Sequence, residues 1–308
     1  MSKVKYLYLS VTVIIIAITI SPGASWGWGT HSWLADRGMD TITSFLSELN
    51  QSEYRNLVKT YAPKPDSWKS DYADEGIRHY LDYDISNGKV DKAVLSWTIL
   101  LAKELQWSEP DYEFVAQVCG VLSHYVMDLS QPLHCTSNYN PWGKHSYIDG
   151  WLQDNNAFDE IQLPDMTPSF IDSVHNYTME QIEDNYYVAE NELIPALAVD
   201  DTREIDRIVK TQAVKGIQFF IDLVYTAKMR SNETDIETVM NPDAVPLLEL
   251  QLEPPVRDNT TTTTTLTTSS QQTSSNEKSF TVTGTKTTII LFSCLSIVLI
   301  RKRPKMKA

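Results

Sequence analysis

The 308-residue chain carries 26 Lys and Arg against 40 Asp and Glu, giving a net charge of −14 at pH 7. The excess is concentrated between residues 26 and 252, where 16 basic side chains stand against 37 acidic ones. Proteins that bind nucleic acids usually present a basic surface, so this balance argues against a long polyanion as partner. The same stretch of about 225 residues is enough for one domain with a substantial core.

The N-terminal residues have the three parts of a secretory signal. Lys3 and Lys5 precede an apolar run over residues 6–20, and small residues follow up to Ser25. We predict a signal peptide over residues 1–25 and an exported protein whose mature chain begins at Trp26. An uncleaved signal anchor is the alternative, and a cut two residues later would make Trp28 the first residue.

Apolar residues recur at intervals of three and four over four long stretches, which is the period of an amphipathic helix. These stretches are residues 33–46, 90–105, 114–129 and 205–225. No stretch alternates for long as a strand does, and prolines separate the helical segments. We therefore predict an all-α fold with a single compact multi-helix domain over residues 26–250.

Composition changes after this domain. Residues 251–286 are rich in Thr and Ser, which predicts a disordered stalk. Residues 287–300 are apolar and residues 301–308 are basic, the order of a stop-transfer segment with a cytoplasmic tail. We predict a protein anchored at the cell surface by a C-terminal transmembrane segment. The apolar run is shorter than the roughly 20 residues of a full span, so a removed sorting signal or a peripheral tail are the alternatives.

The histidines carry the main chemical signal. Five of the six have an aspartate nearby or stand at ligand spacing with another histidine: His31, His79, His124, His134 and His145. His124 and Asp128 are four residues apart on one predicted helix, so both side chains can reach one ion. His145 and Asp149 repeat this spacing. One such pair is more often an ordinary hydrogen bond, but together they predict a site for several metal ions.

Imidazole and carboxylate ligands with few thiols are typical of catalytic zinc sites, which keep positions open for water. Cys119 and Cys135 lack CxxC spacing, so sulfur ligation is not expected. These two cysteines could form a disulfide in an oxidising compartment or could simply be buried, and the sequence leaves both possibilities open.

Four features, in this order, resemble the superfamily of zinc-dependent phospholipases C and single-strand-specific zinc nucleases. They are the start WGWGTH, Asp66 followed by RHYLDYD, the run HxxxDxxxxxH that contains QPLH, and a later HxxxD. The match extends from Trp26 to Asp149. The resemblance implies a helical domain that binds three Zn²⁺ ions and hydrolyses phosphodiester bonds.

Transferred motif by motif, the resemblance also implies the ligands. One zinc ion would be held by Asp66, His79, His124 and Asp128, and a second by His134, His145 and Asp149. The third would be held by His31, by Asp128 as a bridge, and by Trp26 through its amino nitrogen and carbonyl oxygen. Asp66 and Asp128 are the implied catalytic residues, and Asp66 can orient or deprotonate the attacking water.

Other residues are candidates for supporting roles. His175 matches no ligand position and is expected to be structural. Three side chains are candidates to orient ligand histidines: Asp82, Asp84 and Tyr125. Four aromatic residues are candidates to line a substrate pocket: Trp68, Tyr72, Tyr139 and Trp142.

The sequence resembles two branches of the superfamily that act on different substrates. The short spacing between His134 and His145 resembles the phospholipase C branch, whereas Trp26 five residues before His31, and Asp149 in place of a glutamate, resemble the nuclease branch. The acidic charge and the predicted anchor favour phospholipid head groups, with nucleic acid only as the substrate of the alternative nuclease. A non-catalytic zinc-binding surface module is a third hypothesis. It would require the loss of a ligand, and every ligand position is filled.

Overall fold

The computed structural model describes residues 27–69, 71–72, 74–252 and 254–255. Several predicted features lie outside these ranges: the signal peptide 1–25, Trp26, nearly all of the stalk 251–286, the transmembrane segment 287–300 and the tail 301–308. In the portion that is described, no helix has both the length and the apolar character needed to cross a bilayer.

The described residues are mostly helical, as predicted, and ten α-helices follow one another along them. In chain order, α1 to α10 are Trp28–Ile42, Ser52–Tyr61, Lys64–Trp68, Val90–Leu105, Tyr112–Ser130, His145–Asp154, Val174–Val188, Ile194–Ala198, Thr202–Arg230 and Ile236–Met240. A π-helix, Ala189–Leu193, joins α7 to α8. Five 3₁₀ turns occupy Ser47–Asn50, Glu75–His79, Pro132–Cys135, Pro141–Gly143 and Ala157–Glu160. Strands β1, Leu81–Asp82, and β2, Asn87–Gly88, form one small antiparallel hairpin.

Helix α5 is the centre of the domain. It packs against α1, α2, α4, α7 and α9, and its residues from Phe114 to Ser130 are buried with little interruption. A helix that is apolar all round must be covered on every side, which explains why long amphipathic helices surround it. Asp111 begins the helix by accepting hydrogen bonds from the backbone N–H groups of Glu113 and Phe114.

Helices α5 and α2 approach closely at Gly120. A Cβ atom at this position would lie 2.6 Å from the carbonyl oxygen of Val58 and 2.7 Å from Cβ of Tyr61. The absence of a side chain therefore lets the end of α2 lie directly against α5. This approach brings the carbonyl of Ala62 within 2.7 Å of Nδ1 of His124.

After α10 the chain continues as an extended segment, residues 245–252, which we call the C-terminal strap. Asn241 holds its start through two hydrogen bonds with the backbone of Val245. Further along, the N–H of Leu248 donates to Oγ of Ser96 on α4. The apolar residues of the strap pack against the core. The strap thus runs from α10 across α4 towards the 3₁₀ turn Glu75–His79.

Cys119 and Cys135 are both buried free thiols. Sγ of Cys135 donates to the carbonyl of Leu129, and burial raises the pKa of the Cys119 thiol to about 12. The disulfide that the sequence left open is therefore not formed in this structure, and both cysteines serve as packing residues.

Candidate metal centre

The predicted ligands come from six different elements that meet beside α5. Helix α1 supplies His31, α3 supplies Asp66, and the turn Glu75–His79 supplies its last residue. The remaining ligands follow one another along the chain: His124 and Asp128 on α5, His134 on the turn Pro132–Cys135, and His145 and Asp149 on α6. Every one of these residues except Asp66 is buried, and Asp66 is half-buried.

Three groups of these side chains could each hold a metal ion. The ligand atoms of each group all lie within 4.8 Å of one another. The groups are Asp66, His79 and His124; His31, His124 and Asp128; and His134, His145 and Asp149. The first two groups share His124. The structure therefore brings together all the predicted ligands that it describes, while Trp26 lies outside the described residues.

Backbone carbonyls determine which nitrogen of three histidines faces the site. Nδ1 of His124, His134 and His145 lies 2.7 Å from the carbonyl oxygens of Ala62, His79 and Tyr139, respectively. A carbonyl can only accept, so each Nδ1 must carry the proton. In the neutral imidazole, Nε2 then presents its lone pair, which is the form that ligates a metal.

His79 has the opposite orientation. Its Nε2 faces Oε1 of Glu75 at 3.5 Å, and its Nδ1 lies 2.6 Å from Oδ2 of Asp128 and 3.0 Å from Nε2 of His124. Burial lowers the pKa of His79, but its contacts with the Asp128 and Glu75 carboxylates outweigh burial and raise it overall. Nδ1 is thus the atom that His79 offers to the site.

Asp128 is a buried carboxylate surrounded by three imidazoles. Its Oδ2 lies 3.1 Å from Nε2 of His124 as well as beside His79, and its Oδ1 lies 3.4 Å from Nε2 of His31. Burial raises the pKa of Asp128, but the three histidines, His124 foremost, hold it well below its usual value. The group is therefore a buried anion with histidines on both oxygens, as a carboxylate that bridges two cations would be.

The third group contains the clearest case of a buried atom with no hydrogen-bonding partner. Nε2 of His134 makes no hydrogen bond, and its nearest carboxylate oxygen, Oδ1 of Asp149, is 3.9 Å away. Burial lowers the pKa of His134 to about 4, so the imidazole is neutral at neutral pH. A neutral, buried, unpaired imidazole nitrogen directed at a carboxylate and a second histidine fits a metal ligand.

Gln131 orients the carboxylate of this group. Its Nε2 donates to Oδ1 of Asp149 at 2.8 Å, and Oδ2 of Asp149 faces Nε2 of His145 at 3.2 Å. Burial lowers the pKa of His145, but the hydrogen bond to Asp149 and its charge outweigh burial and raise it. Gln131 begins the QPLH motif, but no role of its own was assigned to it from the sequence, because nothing in the spacing relates it to Asp149.

A cavity of about 420 Å³ opens onto the site. His79, His134 and His145 line it, together with Lys69, whose Nζ donates to Oδ1 of Asp66 at 2.8 Å. Burial raises the pKa of Asp66, but His124 and Lys69 outweigh it, so the pKa is lowered. The cavity therefore has imidazoles on one side and an ammonium group beside a carboxylate.

The candidate pocket aromatics have different positions. Tyr139 lines the cavity and is 57 % exposed, and Trp142, three residues further along the chain, is 63 % exposed. Trp68 instead stacks on Trp97, with ring centroids 6.4 Å apart, and neither it nor Tyr72 lines the cavity. One aromatic residue that was not predicted as a pocket residue, Tyr80, also lines the cavity.

The candidate orienting residues also differ from expectation. The carboxylate of Asp82 accepts from Asn87 and that of Asp84 accepts from Ser137, not from ligand histidines. The hydroxyl of Tyr125 donates to Glu75, so Tyr125 can orient a ligand histidine only through Glu75. Glu75 is the carboxylate that faces His79, and its position four residues earlier, the same spacing as His124 and Asp128, was a signal that the sequence offered.

Comparison with protein-family models and with curated proteins finds no match for this chain.

Proposed function

We propose that the chain is an exported trinuclear zinc phosphodiesterase that hydrolyses phospholipid head groups in the manner of a phospholipase C. The observation that supports the proposal is the set of three His and Asp groups, two of which contribute histidines to the lining of one cavity. The domain would then be of the zinc-dependent phospholipase C and nuclease type, tethered to the membrane by residues 287–300.

The donor atoms favour zinc. Five imidazoles and three carboxylates, without a thiolate, are the ligands of catalytic rather than structural zinc sites. Asp66, His79, His124 and Asp128 would hold one ion, His134, His145 and Asp149 a second, and His31 and Asp128 a third with the amino terminus of Trp26. Zinc ions in such a cluster lower the pKa of water, polarise the phosphoryl oxygens and stabilise the leaving alkoxide.

The chain's own residues would position the substrate and the water. Lys69 lines the cavity and lies beside Asp66, so its ammonium group can contact a phosphoryl oxygen. The carboxylate of Asp66 is ionised at neutral pH and accepts a hydrogen bond from the attacking water, which orients it towards phosphorus. Asp128 balances the positive charge at the centre of the site.

The cavity rim supports a lipid substrate. Ile85 and Tyr139 line the cavity and are more than half exposed, and Trp142 is exposed nearby in the chain. Large exposed apolar and aromatic side chains suit an interface between water and lipid. There, one end of an aromatic side chain can contact lipid while the other contacts water. The acidic surface favours a head group over a long polyanion.

A single-strand-specific nuclease is the second candidate. Tyr80 and Tyr139 line the cavity and could stack on bases, and the Asn87 amide could hydrogen-bond to a base edge. A zinc-binding module without catalysis remains the third. Because all three candidates use the same metal site, the substrate has to be decided by assay.

The test uses the full-length protein purified in detergent, with its metal content measured and its amino terminus sequenced. We expect about three zinc ions per chain, a start at Trp26, and release of phosphocholine from phosphatidylcholine. His124→Ala should lower both the metal content and the activity, the latter by more than about 100-fold, whereas His175→Ala should leave both unchanged. Cleavage of single-stranded DNA or RNA alone would replace the lipase with the nuclease, and zinc without hydrolysis would indicate the binding module. A wild-type protein that binds no metal would refute all three.

A further inference from the structure

Glu75 is the point where the C-terminal strap meets the metal centre. Its side chain is completely buried and has three neighbours besides His79. The hydroxyl of Tyr125 donates to Oε1 at 2.5 Å, and Nε2 of Gln251 on the strap donates to Oε2 at 2.7 Å. The guanidinium group of Arg78 lies 3.7 Å from the same Oε2. A buried carboxylate is costly unless its oxygens are paired, so these donors satisfy both oxygens of Glu75 and hold its side chain in place.

Two further hydrogen bonds hold the backbone of the C-terminal strap in place. Nη1 of Arg78 donates to the carbonyl of Glu249 at 2.8 Å, two residues before Gln251. The Glu249 contact therefore holds the backbone of the strap next to the turn from which Glu75 reaches Gln251. Together with the Ser96 contact to Leu248, it fixes where the Gln251 amide lies.

His79 depends on this arrangement more than the neighbouring ligands do. Backbone carbonyls fix the proton on Nδ1 of His124, His134 and His145. For His79, in contrast, Nε2 makes no hydrogen bond, its nearest acceptor is the Glu75 carboxylate at 3.5 Å, and Nδ1 lies towards Asp128. A side-chain acceptor can turn away, whereas a carbonyl within packed backbone cannot.

We propose that Gln251 is a positioning residue that acts through Glu75 to fix the orientation and tautomer of His79. The strap, which leads into the predicted stalk, then contributes to the metal centre and does not only connect the domain to the stalk. This inference rests on the proposed metal-dependent function, since it assigns Gln251 a role in holding the ion that His79 ligates.

The test compares metal retention in three full-length variants during titration with a chelator. Gln251→Ala removes the donor, and Gln251→Glu keeps the shape but replaces the donor with an acceptor that faces Glu75. Both should bind the most easily removed zinc about 10-fold more weakly than wild type, the Glu variant more so. Added zinc should restore activity in both.

Gln218→Ala is the matched control. Gln218 is also half-buried and donates to a buried carboxylate, Oδ1 of Asp222 at 2.7 Å, but it lies on α9 and does not line the cavity. It should lower the melting temperature as much as Gln251→Ala does and leave metal retention unchanged. Wild-type retention in both Gln251 variants, or equal metal loss in Gln218→Ala, would overturn the inference. A wild-type protein without zinc would instead indicate failure of the proposed function.

Discussion

Gly120→Ala tests whether the packing of α2 on α5 builds the metal centre. The new Cβ would lie 2.6 Å from the Val58 carbonyl oxygen, 2.7 Å from Cβ of Tyr61 and 3.1 Å from the Ala62 nitrogen. Ordinary contacts of this kind are longer by about 0.7 Å, and all three obstacles belong to backbone or to a Cβ that cannot rotate away. Helix α2 must therefore retreat, which by the usual cost of overpacking destabilises the domain by about 1–3 kcal/mol.

The same retreat should weaken the metal site. The Ala62 carbonyl accepts from Nδ1 of His124 at 2.7 Å, and a shift of about 0.7 Å would stretch this bond to the limit for a hydrogen bond. We expect a melting temperature lower by roughly 2–12 °C, at 2–4 °C per kcal/mol for a domain of this size, and weaker zinc retention.

Gly76→Ala is the control for the effect of Gly120→Ala on stability, because a Cβ at Gly76 meets nothing within 4 Å. Gly76 lines the cavity, so zinc retention of Gly120→Ala is compared with that of the wild type. Thermal unfolding monitored by circular dichroism and titration with a chelator provide the two measurements. Unchanged stability and zinc retention in Gly120→Ala would show that the close approach at Gly120 does not support the site.

Four further predictions follow from the site and its surroundings. Gln131→Ala should free the Asp149 carboxylate and weaken retention of one zinc ion about 10-fold in a chelator titration. The metal-free protein should lose stability as pH falls from 6.5 towards 4, because unfolded His134 binds a proton that the folded imidazole, with a pKa of about 4, does not take up. His134→Gln should remove up to about 3 kcal/mol of that loss, measured by urea unfolding at several pH values; an unchanged pH dependence would contradict this. Trp142→Ala should lower hydrolysis of phosphatidylcholine vesicles several-fold and leave hydrolysis of a dissolved short-chain lipid unchanged, and an equal loss on both would exclude a role at the interface. Added salt should speed any cleavage of long single-stranded DNA and leave the short-chain lipid rate unaffected, since it screens repulsion only for the long substrate.

The long helices were predictable because each buries at least one broad face, and the apolar residues of that face recur at the helical period. Periodicity located α4 at its observed bounds, whereas α1 lies several residues earlier than the stretch 33–46. The chain leaves the helix after Ile42 in a hydrogen-bonded turn, and Leu46 is buried from that turn rather than from the helix. The hairpin, the π-helix and the 3₁₀ turns were not predicted, because segments of two to five residues are too short to show a period.

The grouping of the predicted ligands could be read from the sequence, whereas the groups that orient them could not. Residues four apart on a helix share a face, so His124 and Asp128 could be paired from spacing alone. The carbonyls of Ala62 and Tyr139 carry no side-chain signature, since every residue has one. The Gln251 contact with Glu75 spans 176 residues and depends on how the strap crosses α4.

An acidic surface is compatible with the proposed anionic substrate, because the charge of the site and the charge of the exterior act over different distances. Three carboxylates in the ligand groups contribute three negative charges, and three zinc ions, as proposed, would add six positive ones beside Lys69. A single phosphodiester in the cavity would experience this local excess, since fields inside a cleft of low dielectric are screened little. A long polyanion would extend beyond the screening length of about 8–10 Å and meet the acidic exterior. With the proposed zinc ions bound, this charge distribution would favour a short phosphodiester at the end of a neutral or membrane-embedded molecule, which is the form in which a phospholipid presents its head group.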